Sequence, residues 1–260
     1  MIKLGMPILY EYDNLEDNFK LAKSLDLDFI ELNLNFGYCR KEMEEGNLIK
    51  LIDKYQIETT LHFYDEADMG SYKEVVDAYL SLLEKYAYLG KDYLKLVNMH
   101  NNPGPVVTIS GTKNYIYAKE YQEYIERIIS NFTKAKEILN KYQIKLVIEN
   151  VDGASGASFL MDNFLKLKEY GFRFTYDIGH DNVSGFPLYN LIQNNELNFD
   201  EFHFHDGNGN KCHLALGEGN IDLKYFSDLA KKNNSYVLLE VKSSDDLRKS
   251  VPYFRKLSNE

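Results

Sequence analysis

Tryptophan is absent from this chain, and cysteine occurs only twice, at Cys39 and Cys212. Two cysteines give no disulfide framework, and a reducing, cytoplasmic setting is the expectation. No run of about 18 apolar residues exists, which argues against a transmembrane helix. The opening MIKLGMPILYEYD meets acidic residues at once and offers no small-residue cleavage site, so no signal peptide is expected. Positive charge is also in deficit: 30 Lys and Arg face 40 Asp and Glu, a net charge of −10. That balance disfavours a protein whose main affinity is for a phosphate backbone, so nucleic acid is not the expected partner. There is no internal repeat and no low-complexity segment.

What is present is apolar and aromatic residue enough for one large core. The 260 residues are 44% apolar and 27% charged, which suits a single globular domain over 1–260. The 21 Tyr and 15 Phe, with plentiful Lys and Asn, read as compositional bias of the source genome. Surface tyrosines could also serve a homo-oligomer interface.

Eight apolar runs read as strands: 2–10, 28–35, 57–63, 93–99, 144–150, 172–177, 200–205 and 235–241. Each is followed by a helical pattern, at about 14–25, 40–55, 71–89, 116–141, 158–169, 187–193, 222–232 and 244–256. Asp13 or Asn14 can cap the first helix, and Gly90 stops the third. Strands alternating with helices imply a parallel sheet, and eight such units predict a closed (β/α)8 TIM barrel. The connection NNPGPVVTISGTKN, 101–114, is long for a barrel and reads as a lid.

The segment FDEFHFHDGNGNKCHLALGEG, 199–219, carries three of the six histidines. Side chains alternate across a strand, so His203 and His205 share one face and the flanking Phe the other. With Asp206 at the strand end, the segment looks like the edge of a metal site; two core histidines with backbone partners are the alternative. Cys212 could approach a metal or be a small loop residue. Glu218, in GEG, could brace the site or point to solvent from a tight turn. Glu31 could reach the barrel interior or pair with a lysine.

In such barrels the active site lies at the C-terminal strand ends. His62, His100, Glu149, Asp177, His203, His205 and Glu240 fall at those ends, and His180 and His213 lie in the loops just beyond. Imidazole and carboxylate together suit Zn²⁺, Mn²⁺, Fe²⁺ or Co²⁺. Glu149, Asp177, His203 and Glu240 come from four neighbouring strands and can surround one divalent ion. Taken singly, each acid could instead sit in a salt bridge.

IEN at 148–150, DIGH at 177–180, HFHD at 203–206, HLALGEG at 213–219 and LLE at 238–240 resemble, in order and spacing, the xylose isomerase-like barrel superfamily. That superfamily includes sugar isomerases, ketose 3-epimerases and endonuclease IV. The resemblance covers essentially the whole chain. It implies a metal held by Glu149, Asp177, His203 and Glu240, with Glu149 and Glu240 as proton-transfer bases and His180 on a substrate oxygen. The endonuclease IV pattern also matches His62, His100, His180 and His213, so His62 and His100 with Glu149 become candidates for a second ion. Where that pattern has an aspartate, Lys211 stands, and a protonated lysine repels a cation. His180, His205, His213 and Lys211 are therefore left as substrate-binding or further metal residues.

The function expected is a divalent-metal-dependent isomerase or epimerase of a sugar, polyol or sugar phosphate, working through a metal-stabilised ene-diolate. An endonuclease IV-like phosphodiesterase acting at abasic sites is the alternative, and a barrel that only binds a sugar or a protein is a third.

Overall fold

Strand and helix alternate along the chain as the apolar runs predict. The computed structural model describes residues 2–151, 157–193, 197 and 199–259. The first half runs β1 (Lys3–Pro7), α1 (Leu15–Ser24), β2 (Phe29–Asn33), α2 (Gly37–Glu44), α3 (Leu48–Tyr55), β3 (Glu58–His62), α4 (Lys73–Gly90) and β4 (Leu94–His100). Then come β5 (Val106–Ile109), β6 (Thr112–Tyr115), α5 (Ile116–Lys119), α6 (Tyr121–Asn140) and β7 (Lys145–Glu149). The last part is α7 (Phe159–Glu169), β8 (Arg173–Asp177), α8 (Ile178–Val183), α9 (Tyr189–Gln193), β9 (Phe199–Phe204), α10 (Leu223–Asn233), β10 (Tyr236–Leu239) and α11 (Ser244–Asn259).

Eight parallel strands close in the order β1-β10-β9-β8-β7-β4-β3-β2. This is a (β/α)8 TIM barrel with its helices outside. Three local expectations need correction, and one short helix is added. The helix over 40–55 is two, α2 and α3, because the chain turns at Gly46 with φ +70. The helix over 116–141 is also two, α5 and α6, with Glu120 between them outside helical geometry at φ −110, ψ 34. The connection after β4 is not bare loop: β5 and β6 pair antiparallel as a hairpin. A short helix, α8, starts directly at the end of β8, where the Asp177 carboxylate accepts from the His180 backbone N–H at 2.6 Å.

The strands are buried on both faces, and the two faces differ. Outward residues such as Leu4, Ile30, Leu61, Val97, Ile148 and Phe202 join one large apolar cluster with the helices. Inward residues, at alternate positions, build layers along the axis. Phe29, Leu96, Val147 and Leu238 are buried but stand apart from that cluster and form an apolar floor. The Phe29 ring crosses to β1, where a Cβ on Gly5 would lie 2.5 Å from it, so only glycine fits there. Two residues further along each strand the interior turns polar: Glu31 after Phe29, Asn98 after Leu96, Glu149 after Val147, Glu240 after Leu238.

Candidate metal centre

Three strand ends and the residue after a fourth meet at one point. Glu149 ends β7, Asp177 ends β8, His203 is the last inward residue of β9, and Glu240 follows β10 directly. Register puts Asp177 opposite His203 and Leu238 opposite His203. All four side chains are buried, and one donor atom from each lies within 4.8 Å of the others. His203 Nδ1 is 3.1 Å from Glu149 Oε1 and 3.3 Å from Glu240 Oε2. Glu240 Oε2 is buried without a hydrogen-bond partner. A buried carboxylate oxygen left unpaired carries a desolvation penalty that a cation would remove. This donor set of three carboxylates and one imidazole fits a divalent ion of the Zn, Mn, Fe or Co kind.

Two flanks share ligands with this centre. On one, His62 from β3 and His100 from β4 place Nε2 3.3 Å and 3.5 Å from Glu149 Oε2, and Asn98 donates to the same oxygen. On the other, His180, His205 and His213 gather around Asp177. There His205 Nε2 is 2.9 Å from Asp177 Oδ1 and 3.0 Å from Oδ2, and His205 Nδ1 accepts from the His213 backbone N–H at 2.7 Å. Both nitrogens of His205 are thus engaged. Gly179 permits this packing, since a Cβ there would lie 1.9 Å from His205 Cε1.

Opposite charges within the cluster offset the cost of burial at several of its groups. Burial disfavours ionised Glu149, but the imidazoles of His203 and His100 outweigh it and hold the carboxyl well below its ordinary range. Burial likewise opposes ionised Glu240, and Lys242 and His203 overcome it; Lys242 Nζ is 2.7 Å from Glu240 Oε1. Burial pulls His62 down, yet the hydrogen bond to Glu149 and the charges of Glu31, Glu149 and Asp65 raise it to about 10. For His100 burial prevails and the ring is pushed down. Burial also lowers His213. Beneath the centre, Glu201 is pushed up to about 7, by burial first and then by the charge of Glu31.

Every predicted histidine and acid of the set Glu149, Asp177, His203, Glu240, His62, His100, His180, His205 and His213 therefore falls into one connected cluster. Lys211 is exposed on the loop after β9. Asp206 is corrected from metal edge to loop brace, since its oxygens accept from the amides of Gly207, Gly217, Gly219 and Ile221. Glu218 points to solvent and pairs with Lys249 at 3.1 Å. Cys212 is half-buried with Sγ 3.1 Å from His213 Nδ1 and outside the candidate ligand groups. Glu31 does reach the interior, 2% exposed.

Sequence reasoning missed Lys242, Asn98 and Glu201. Their signal was the period of two: each lies two residues from an inward-facing site residue on the same segment. A cleft of about 100 Å³ opens beside the centre, lined by Leu9, Tyr10, Asn33, Phe36, His62 and Lys242 among others.

The family model described as xylose isomerase-like TIM barrel matches residues 19–257. The chain belongs to this family. No curated protein matches the sequence. Among solved structures, a D-tagatose 3-epimerase-like protein superposes with a TM-score of 0.77 at 21% identity, covering 99% of this chain and 98% of that one. A xylose isomerase domain protein from Alicyclobacillus acidocaldarius gives 0.71 at 12% identity, covering 100% and 99%. An IOLI protein with a bound zinc atom gives 0.69 at 15% identity, covering 99% and 95%. At these identities the likeness is one of fold.

Proposed function

We propose that this barrel is a divalent-metal-dependent isomerase or epimerase acting on a sugar, polyol or sugar phosphate. The observation that carries the reading is the buried convergence of Glu149, Asp177, His203 and Glu240 beside an open cleft. These four residues would hold the ion. When bound, it would polarise adjacent substrate oxygens and so favour loss of a neighbouring C–H proton. Glu149 and Glu240, both held ionised, act as the bases: one takes the proton from carbon, and the proton returns at the neighbouring carbon or on the opposite face. Asn98 holds Glu149 in place through one carboxylate oxygen, and Lys242 does the same for Glu240. His180, grouped with Asp177, would meet a substrate hydroxyl.

Epimerases of tagatose-like and psicose type share the fold, so free ketoses are the first substrates to test. The experiment is elemental analysis of protein purified without chelator, followed by a panel of ketoses and sugar phosphates. About one ion per chain with turnover of a panel member supports the reading; metal-loaded protein that leaves the whole panel unchanged defeats it.

A second reading rests on one further observation, the group His62, His100 and Glu149, whose donor atoms also lie within 4.8 Å of one another. A second ion held there would suit a phosphodiesterase resembling endonuclease IV. It predicts two or more ions per chain and nicking of an abasic-site duplex, against which the net charge of −10 argues.

A further inference from the structure

Under the candidate centre lies a second polar layer, of which the metal reading uses only Asn98. It is built two residues before the site residues, from Thr60, Asn98, Thr175 and Glu201, with Glu31 completing it from β2. All five are buried. Thr175 donates to Glu201 Oε2 at 3.2 Å. Glu31 Oε1, Glu201 Oε1 and His203 Nε2 have no hydrogen-bond partner. His203 Nε2 lies 3.7 Å from Glu31 Oε1 and 3.7 Å from Glu201 Oε2. The inward positions two before Glu31, Glu149 and Glu240 are the buried apolar residues Phe29, Val147 and Leu238.

His203 thus has two different ends. Nδ1 looks up at Glu149 and Glu240, where the candidate ligands converge. Nε2 looks down at two carboxylates. A neutral imidazole can offer a lone pair at one nitrogen and must carry its hydrogen on the other. A buried N–H without an acceptor costs about 1–3 kcal/mol, and the carboxyl oxygens of Glu31 and Glu201 are the acceptors that face Nε2.

We infer that Glu31 and Glu201 are positioning residues: they receive the Nε2–H of His203 and so fix the tautomer that presents Nδ1 to the metal. This rests on the metal-centre reading and goes beyond it, because it gives a role to two acids outside the four candidate ligands, Glu31 at the base of the cleft and Glu201 beneath His203. Acceptors behind a ligating imidazole orient the ring and raise its basicity, and their loss typically weakens metal binding about 10–100-fold.

The test uses the whole chain and Zn²⁺. Long-range proton–nitrogen NMR of the Zn-loaded wild type should show His203, identified by its loss in His203→Asn, protonated at Nε2 and bare of hydrogen at Nδ1. Competition against a chromophoric chelator should show about a 10–100-fold weaker Zn²⁺ affinity in Glu31→Leu/Glu201→Leu, while Glu201→Gln, which keeps an acceptor oxygen, stays close to wild type. A folded double variant with wild-type affinity overturns the inference. So does a Zn-loaded wild type with the hydrogen on Nδ1, and that measurement decides the matter even if the double variant does not fold. Wild type that binds no Zn²⁺ at all defeats the metal-centre reading itself, which is a different outcome.

Discussion

The two flanks of the centre are built from the same residue types and are not equivalent. On the β3–β4 side, His62 and His100 turn their Nε2 atoms onto one oxygen of Glu149. Their partners are charges, and a cation can replace the proton that holds His62 and Glu149 together. On the β8–β9 side, His205 is locked between Asp177 and the His213 amide, with Gly179 pressed against its ring. Because His205 Nδ1 accepts, its Nε2 must carry the hydrogen, whereas Nδ1 of His62 and of His100 faces the carbonyl of Phe63 and of Asp65 and leaves Nε2 able to offer a lone pair. The difference teaches that a count of imidazoles near a strand end says little about metal capacity; what matters is which nitrogen of each carries the hydrogen and which keeps its lone pair.

The largest expected effect is at the residue both the centre and the open flank share. Glu149→Gln should lower turnover by about 10²–10⁴-fold on whichever substrate the panel identifies, and should also reduce bound metal. Steady-state kinetics with elemental analysis checks both. Turnover that survives would remove Glu149 from the chemistry.

Next, the flanks can be set against each other. His62→Ala should remove any second ion while leaving one in the centre. His205→Leu should leave the number of ions unchanged but weaken binding about tenfold, because Asp177 loses its donor. If His205→Leu instead lowers the ion count and His62→Ala does not, the comparison is reversed. Titration with Zn²⁺ distinguishes the two.

A smaller, pH-dependent effect belongs to the closed flank. Asp181 in α8 accepts from Tyr176 Oη at 2.6 Å and from the Leu188 and Tyr189 amides, and burial pushes its carboxyl up to about 6. A folded-state value raised above the ordinary carboxylate range favours the protonated form. Its contribution to stability is full below the unfolded value and is lost as pH rises through about 6. Two units correspond to about 3 kcal/mol. Denaturant melts of wild type and Asp181→Asn at pH 4 and pH 7 should therefore show the wild type losing ground to the variant as pH rises.

The smallest effect is expected at Glu218. Its pair with Lys249 is solvent-exposed, and such pairs contribute little. Glu218→Ala should leave both melting temperature and metal content unchanged. A loss of metal would revive Glu218 as a brace of the site.

Much of this was written in the alternation of the strands. His62, His100, Glu149, Asp177, His203 and Glu240 could be placed at strand ends from apolar runs alone, because a parallel strand buried on both faces is a continuous apolar segment whose end is marked by its first charged residues. The same period of two contained Asn98 and Glu201, two residues before His100 and His203, but an inward-facing acid is not distinguishable in sequence from one at the barrel rim. The breaks in the helices over 40–55 and 116–141 were not legible, since helical periodicity continues on both sides. Nor was the hairpin after β4, whose exposed Val106, Val107 and Ile109 gave no alternation against a buried face.

The sequence by itself determined the (β/α)8 architecture and the residues that crowd its C-terminal rim, since period and residue type are local properties. Only the tertiary structure decided which nitrogen or oxygen each of them offers. That assignment separated the open flank from the closed one, turned Asp206 into a brace for four amides, left Lys211 in solvent, and put Glu31 and Glu201 beneath His203. It depends on distances between strands far apart in the chain, and side-chain orientation across a closed barrel is fixed by register and packing, not by neighbours in sequence.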